Sequence, residues 1–398
     1  MSVTFPKGFR AAGVIAGMKP SGLPDLGLLV ADQPCSAAAL FTTNAFAAWP
    51  VRIGRERLTG GTAQAVLVNS GQANAGTGPQ GQVDAYAATA ATAVLLGIEP
   101  EHVLPSSTGV IGERLHLEEL TAALPALVRE LSTDGGGAFA RAIMTTDTVD
   151  KQALAERAGY RVGGCAKGVG MISPDLATML VFVTTDAPVP PAALHELATA
   201  VLEEPFESLT VDACTSTNDT VLVLASGAAG GDPVVPGSAA WSDLSAAVAE
   251  VGESLLSQLA HDAEGVTHVL LIEVQGASTI ADARTAAKAI ADSPLVKAAA
   301  FGGDPNPGRV LQAVGSNGAS FDPAHVDAWI GEIPVIEDGH IARSYFDPRS
   351  GARAAAKTAM AAPEIRIRVS LGQGPGRSRA VGCDLSYDYV RINGEYTT

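Results

Sequence analysis

Three observations predict a mixed α/β or α+β fold, with sheets packed by helices. Apolar runs of strand length alternate with segments of helical composition along the whole 398-residue chain. Glycine (43) and proline (24) are scattered as turn markers rather than gathered into low-complexity tracts. The chain is 47% hydrophobic, enough for a substantial core, and its length suggests roughly two to three domains or lobes.

The N-terminal sixty residues read as short strands, the clearest being Leu28–Ala31 and Ala37–Phe41, separated by a turn at Asp32-Gln33-Pro34. Ala63–Asn69 is a buried strand ending in a small-residue loop, Ser70–Gly78, before a helix over Val83–Leu96. The pattern repeats at Val103–Gly109, where a strand is expected to run into a loop, followed by a helix from about Leu117 to Leu131 that Pro125 should kink or break. Gly135–Gly137 precedes a helical segment, Ala138–Met144, and a hairpin-like region lies near Arg157–Arg161. Met179–Val183 and Leu209–Asp212 read as strands, and Pro191–Glu203 and Trp241–Leu259 as helices. Strand Thr267–Val274 and helix Ile280–Ala291 follow. The last quarter adds strands at Ile333–Ile336 and Glu364–Ser370, a helix near Ala352–Ala361, a turn at Gly372–Gly376 and a C-terminal stretch expected to fray.

Several function classes are excluded. A formal net charge of −16 argues against nucleic acid and anionic membrane surfaces, which require basic patches. No stretch reaches ~18 uninterrupted apolar residues, so no membrane span is expected. The N-terminus carries no long apolar region or cleavage signature, which makes the cytoplasm the expected location. Four widely spaced cysteines, Cys35, Cys165, Cys214 and Cys383, form no CxxC pair and read as reduced, mostly buried thiols. No metal-ligand spacing, dinucleotide fingerprint, phosphate loop or GxSxG occurs, and the seven histidines sit mostly in polar or helical contexts. No cofactor is expected.

The most informative stretch is KGVGMISPDLATML, Lys167–Leu180, a glycine-rich approach that meets an apolar strand at Thr178. Cleavage of the Ala177–Thr178 bond would make Thr178 an N-terminal threonine. Its hydroxyl would then carry its own base, the α-amino group, with a reference pKa of about 7.7–8.0. Loop Ser106–Gly112 places a hydroxyl and an unhindered backbone N–H together at Thr108 and Gly109, a pair able to hold an oxyanion but also an ordinary turn. Lys167, eleven residues before Thr178, could hold a substrate carboxylate or simply be solvated. Thr145 is equally ambiguous alone, and Glu264 could merely decorate the end of a helix.

Taken in order, FTTNAFAA (41–48), NSGQANAGTG (69–78), STGVIG (107–112), IMTTDT (143–148), AKGVGMISPDLATML (166–180), TSTNDT (215–220), DAEG (262–265), SPLVK (293–297), DPNPGR (304–309) and GCDLSYDYVRIN (382–393) resemble the ornithine acetyltransferases of arginine biosynthesis, the ArgJ type of glutamate N-acetyltransferase. The resemblance spans nearly the whole chain. It implies a two-lobed α/β fold of the DmpA/ArgJ-like type, self-cleaved between Ala177 and Thr178 into an α chain, 1–177, and a β chain, 178–398, that stay associated in a homo-oligomer. It further implies ping-pong transfer of acetyl from N-acetylornithine to glutamate through an acetyl-Thr178 intermediate, with acetyl-CoA a possible second donor. Thr108 and Gly109 would form the oxyanion hole. Thr145, Lys167, Thr178, Glu264, Asn393 and Thr398 would contact substrate, which requires an ordered C-terminus.

The chain departs from the family pattern at four places. Pro307 replaces a tryptophan, Ala298 a threonine, Ala213 and Cys214 stand in a motif usually written DGDTSTND, and Gln72 and Gly76 in one usually written NSGNANACTG. These leave open a related N-acyltransferase with altered donor or acceptor. A hydrolase of aminopeptidase type on the same fold, with water as acceptor, is the other enzymatic alternative, and a binding protein that kept the fold is the non-enzymatic one.

Overall fold

The computed structural model describes residues 2–173, 179–372 and 374–395. The chain divides into two compact units, one built from Met1–Glu207 and Cys214–Leu259, the other from Ser208–Ala213 and Ala260–Tyr396. This division is a different one from a cut at Ala177/Thr178.

The first unit is an eight-stranded mixed sheet: β1 (Phe9–Val14), β2 (Leu26–Phe41), β3 (Thr62–Gln72), β4 (Val103–Val110), β5 (Lys151–Arg157), β6 (Tyr160–Lys167), β7 (Leu180–Thr185) and β8 (Thr220–Ala225). Its order is β4-β3-β2-β8-β7-β6-β5, with β1 also on β2. The pairs β3–β4 and β7–β8 are parallel and the others antiparallel. Side chains alternate between two cores. Leu28 and Val30 of β2 join Leu67, Leu120, Leu124 and Leu127, whereas Leu29 and Ala31 join Val66, Val68, Phe139 and Phe182 on the other face. A sheet buried on both faces explains why its strands read as unbroken apolar runs. The helix Trp241–His261 packs closely on β6: a Cβ at Gly164 would lie 2.8 Å from Val251 Cγ1.

In the second unit, β9 (Val269–Ala277), β10 (Asp327–Ile330), β11 (Ile333–Glu337), β12 (His340–Ile341), β13 (Glu364–Ser370) and β14 (Gly376–Cys383) form a sheet of order β12-β11-β10-β13-β9-β14. Leu270, Ile272 and Val274 of β9 pack with Ile365, Ile367 and Val369 of β13 and with the helix Ile280–Asp292. That helix buries Ala283, Ala286, Ala287 and Ile290, the i, i+3, i+4, i+7 face of a 3.6-residue period. Its N-cap, Thr279, accepts a hydrogen bond from Asp282 N at 3.0 Å and donates to Asp282 Oδ2 at 2.7 Å.

Several expectations are corrected. The turn at Asp32–Pro34 does not form, and β2 runs on as one strand. Its register against β3 shifts between Val30 and Cys35, so Pro34, which has no N–H to donate, sits in the bulge rather than the ladder. The expected loop at Ser106–Gly109 is strand, because it pairs in parallel with the equally small and polar end of β3: Ser107 opposite Asn69, Thr108 opposite Ser70, Gly109 opposite Gly71. The helix Leu117–Arg129 continues through Pro125. Leu209–Asp212 makes only an isolated bridge, Leu209 to Val381. The helical region from Pro191 extends to Ser208, passing through a π-helical stretch at Thr199–Glu203. The C-terminus is not frayed as far as it is described: Tyr387–Glu395 is a helix. Helices Trp49–Arg57, Pro294–Phe301 and Pro307–Gly315 and strands β8 and β10 carried no expectation. Cys35, Cys165 and Cys383 are buried and Cys214 is exposed. Among the described residues no helix is long and apolar enough to cross a membrane, and no cluster of three His, Cys, Asp or Glu side chains could hold a metal ion.

Candidate active site

The expected nucleophile Thr178, with Ala177 and Thr398, lies outside the described residues. The nearest described residues are Ser173 before it and Met179 after it. β6 ends at Lys167, β7 begins at Leu180, and these two residues face each other across the antiparallel pair.

Lys167 is 2% exposed, and its Nζ donates to Thr145 Oγ1 at 2.7 Å and to Thr108 Oγ1 at 3.1 Å. Three sequence candidates, far apart in the chain, thus meet through one ammonium. Each is set by a different element. Lys167 closes β6, Thr108 lies in β4, and Thr145 follows the helix Gly136–Ala142. Asp147 fixes this last loop. Its Oδ2 accepts from Thr145 N at 3.0 Å, and its Oδ1 accepts from Gly168 N at 2.8 Å and from Lys151 Nζ at 2.7 Å. The Asp147 and Lys151 side chains have no solvent exposure. Burial alone would raise the Asp147 carboxyl, but Lys167 and Lys151, with these hydrogen bonds, hold it below its ordinary value. Lys19 lies in the same region: its Nζ donates to Met144 O at 2.5 Å and Pro24 O at 2.8 Å, and burial lowers it to about 8 against the pull of Asp25.

Gly109 occupies a position only glycine fits. Its φ is +125°, and a Cβ would lie 2.2 Å from the Gly71 carbonyl oxygen on β3. Gly109→Ala is therefore expected to destabilise the first unit by about 2–3 kcal/mol. An unchanged denaturant midpoint would contradict that backbone reading.

In the second unit, Asn393 Nδ2 donates to Glu264 Oε2 at 2.8 Å and to Tyr389 O at 3.1 Å. Gly265 (φ +68°) lets the DAEG turn lie against the start of the C-terminal helix, where Ser386 Oγ donates to Gly265 O at 2.6 Å. The structure thus brings Glu264 and Asn393 together.

Pro307, Ala298 and Ala213 have local backgrounds. Pro307 is the first residue of the helix Pro307–Gly315, where its missing N–H costs nothing. Ala298 is exposed on the helix Pro294–Phe301. Ala213 has φ +58°, a conformation that costs an L-residue roughly 1–2 kcal/mol, against about 0.4–1 kcal/mol of extra chain entropy for glycine. The penalty wins, so Ala213→Gly is expected to stabilise the protein by about 0.5–1 kcal/mol in chemical denaturation; a loss of stability would refute this. Nothing in the structure explains Cys214.

Sequence reasoning gave no role to Asp147, Lys151, Lys19, Asn218 or Asp219. Asp147 and the pair Asn218-Asp219 stand inside two of the family motifs, IMTTDT and TSTNDT, which was the available signal. Asn218 Nδ2 donates to Ala73 O at 2.6 Å and Ser107 O at 2.8 Å, and Asp219 Oδ1 accepts from Met179 N at 2.9 Å.

The sequence profile of the ArgJ family matches residues 10–398. The arginine biosynthesis bifunctional protein ArgJ of Thermosynechococcus vestitus is 47% identical, over all of this chain and 98% of its own length. The protein of the same name from Thermus thermophilus is 45% identical, with both chains covered completely. A crystal structure of arginine biosynthesis bifunctional protein ArgJ from Bacillus halodurans aligns with a TM-score of 0.51 at 38% identity, covering 54% of this chain and 98% of that one. Matched from end to end, with the Lys167 cluster built from its shared motifs, the chain belongs to the ArgJ family.

Proposed function

We propose that this protein moves an acetyl group from N-acetylornithine to glutamate in arginine biosynthesis, through an ester on Thr178. The observation that carries the reading is the buried Lys167 ammonium, bonded to the hydroxyls of both Thr108 and Thr145 eleven residues before Thr178. A buried cation with hydroxyl groups gathered on it suits a developing oxyanion and a substrate carboxylate.

In the proposed maturation, the Thr178 hydroxyl attacks the Ala177 carbonyl carbon. The C–N bond breaks as the nitrogen takes a proton, and water hydrolyses the resulting ester. This leaves the α chain, 1–177, and the β chain, 178–398, associated. In turnover, the freed α-amino group takes the Thr178 hydroxyl proton as the hydroxyl attacks the acetyl carbonyl of N-acetylornithine. Ornithine departs with that proton, and the glutamate amine then attacks the acetyl ester. Thr108 and Gly109 stabilise the oxyanion; Thr145, Lys167, Glu264, Asn393 and Thr398 are assigned to substrate on the strength of the family motifs. The Bacillus halodurans chain, matched over 98% of its length by 54% of this one, is about as long as residues 178–398, which supports the cut. Acetyl-CoA is proposed as a second donor, in line with the word bifunctional in the relatives' names. No dissociable cofactor is invoked, and a cytoplasmic homo-oligomer of αβ units suits soluble amino-acid substrates.

Denaturing intact-mass measurement before and after N-acetylornithine tests the reading. The expected result is two chains split at Ala177/Thr178, the β chain one acetyl group heavier after substrate. A single uncut chain would overturn it. Two chains without acetylation would turn the reading towards hydrolysis or another donor.

A further inference from the structure

Two consecutive residues outside the catalytic assignment, Asn218 and Asp219, bond to the backbone at Ser107 and at Met179, the chain neighbours of Thr108 and Thr178. Asn218 is buried between β3's end and β4, where its Nδ2 donates to Ala73 O and Ser107 O. The Ser107 carbonyl belongs to the peptide whose nitrogen is that of Thr108. Ser107 is held from its side chain as well, its Oγ donating to Asn69 Oδ1 at 2.5 Å. Asp219 is fully buried, and its Oδ1 accepts from Met179 N, the nitrogen of the peptide whose carbonyl belongs to Thr178. The pair is itself anchored: Thr42 N donates to Asp219 O at 3.1 Å, and Asn218 N donates to Ser216 Oγ at 3.1 Å.

Burial holds the Asp219 carboxyl well above the ordinary range, against the opposing pull of the Met179 N–H, Lys167 and the Ser216 and Thr42 side chains.

We propose that Asp219 is the positioning residue for Thr178, and that with Asn218 it sets the spacing between the nucleophile's peptide and the Thr108 peptide. The proposal rests on Thr178 being the nucleophile. Displacement of a reacting group by about 1 Å can cost on the order of 100-fold, without any loss of substrate contacts.

The test compares Asp219→Ala and Asp219→Asn with the full-length wild type. Self-cleavage and Thr178 acetylation are followed by denaturing mass, and kcat and KM are measured with N-acetylornithine and glutamate. Asp219→Ala is expected to slow cleavage and kcat at least ~100-fold with KM changed less than about threefold. Asp219→Asn, whose amide oxygen can still accept from Met179 N, is expected to recover both to within about tenfold. Asp219→Ala acting at wild-type rates would overturn the proposal, as would equal loss in both variants, which would indicate a need for the acid itself. If Asp219→Ala does not fold, the Asp219→Asn result decides: near-normal cleavage supports positioning and its loss overturns it. A wild type that is neither cut nor acetylated would instead overturn the assignment of Thr178.

Discussion

Thr178→Ala is expected to yield one uncut chain with acetyl transfer reduced at least ~10⁴-fold, a larger effect on rate than any other substitution should have. The magnitude follows from one oxygen serving twice. It is the attacking atom in self-cleavage and the acyl carrier in turnover, so its removal abolishes both the N-terminal amine and the ester. Thr178→Ser keeps the hydroxyl and should be cut and acetylated, more slowly. The wild-type rate should also carry a signature of the α-amino base. Only the free amine accepts the hydroxyl proton, so kcat/KM should fall about tenfold per pH unit below a pKa near the reference value of about 7.7–8.0 and level off above it. Denaturing mass and a pH–rate profile check these expectations. A Thr178→Ala protein cut at the same bond, or acetylating glutamate at wild-type rate, would remove Thr178 from the mechanism.

How far this was legible in the sequence depends on whether a segment's neighbours are close in the chain. Helices such as Ile280–Asp292 were readable because the capping Thr279 and the alanine face are local. The β-hairpin at Arg157–Arg161 was readable from its own turn residues, with Ala158 and Gly159 at positive φ between β5 and β6. The polar ends of β3 and β4 were not. Ser70-Gly71 and Thr108-Gly109 each look like loop, and become strand only because each satisfies the other's ladder across 38 residues. The same distinction divides the site. The motifs indicated Thr108, Thr145 and Lys167, but a lone lysine before a glycine run looks solvated until β6 and β4 bury it between two hydroxyls. Asp147 and Asp219 were missed because much of their bonding is to backbone amides, Thr145 N and Gly168 N for Asp147 and Met179 N for Asp219, which no side-chain pattern reveals.

Asp147→Ala is expected to destabilise the first unit by about 3–5 kcal/mol, more than Gly109→Ala. Coulomb attraction is not the whole cause. The carboxylate accepts from Lys151 Nζ, Gly168 N and Thr145 N, and the alanine variant leaves the fully buried Lys151 ammonium without it. If the loss came mainly from a stranded charge, Asp147→Ala with Lys151→Met should cost less than Asp147→Ala alone, since an apolar pair has nothing to desolvate. The backbone bonds on either side of Lys167 would still be missing, so acetyl transfer should remain impaired even where stability returns. Acid titration gives an independent check. The Asp147 carboxyl lies below its ordinary value in the folded protein, so its contribution is fully present above the unfolded value of about 3.9 and is lost as pH falls through that value towards the folded one. Wild type should therefore lose its advantage over Asp147→Ala in that acid window and keep it at neutral pH. A difference in denaturant midpoint that does not change between about pH 7 and the acid limit would show that shape, not charge, is what Asp147 contributes.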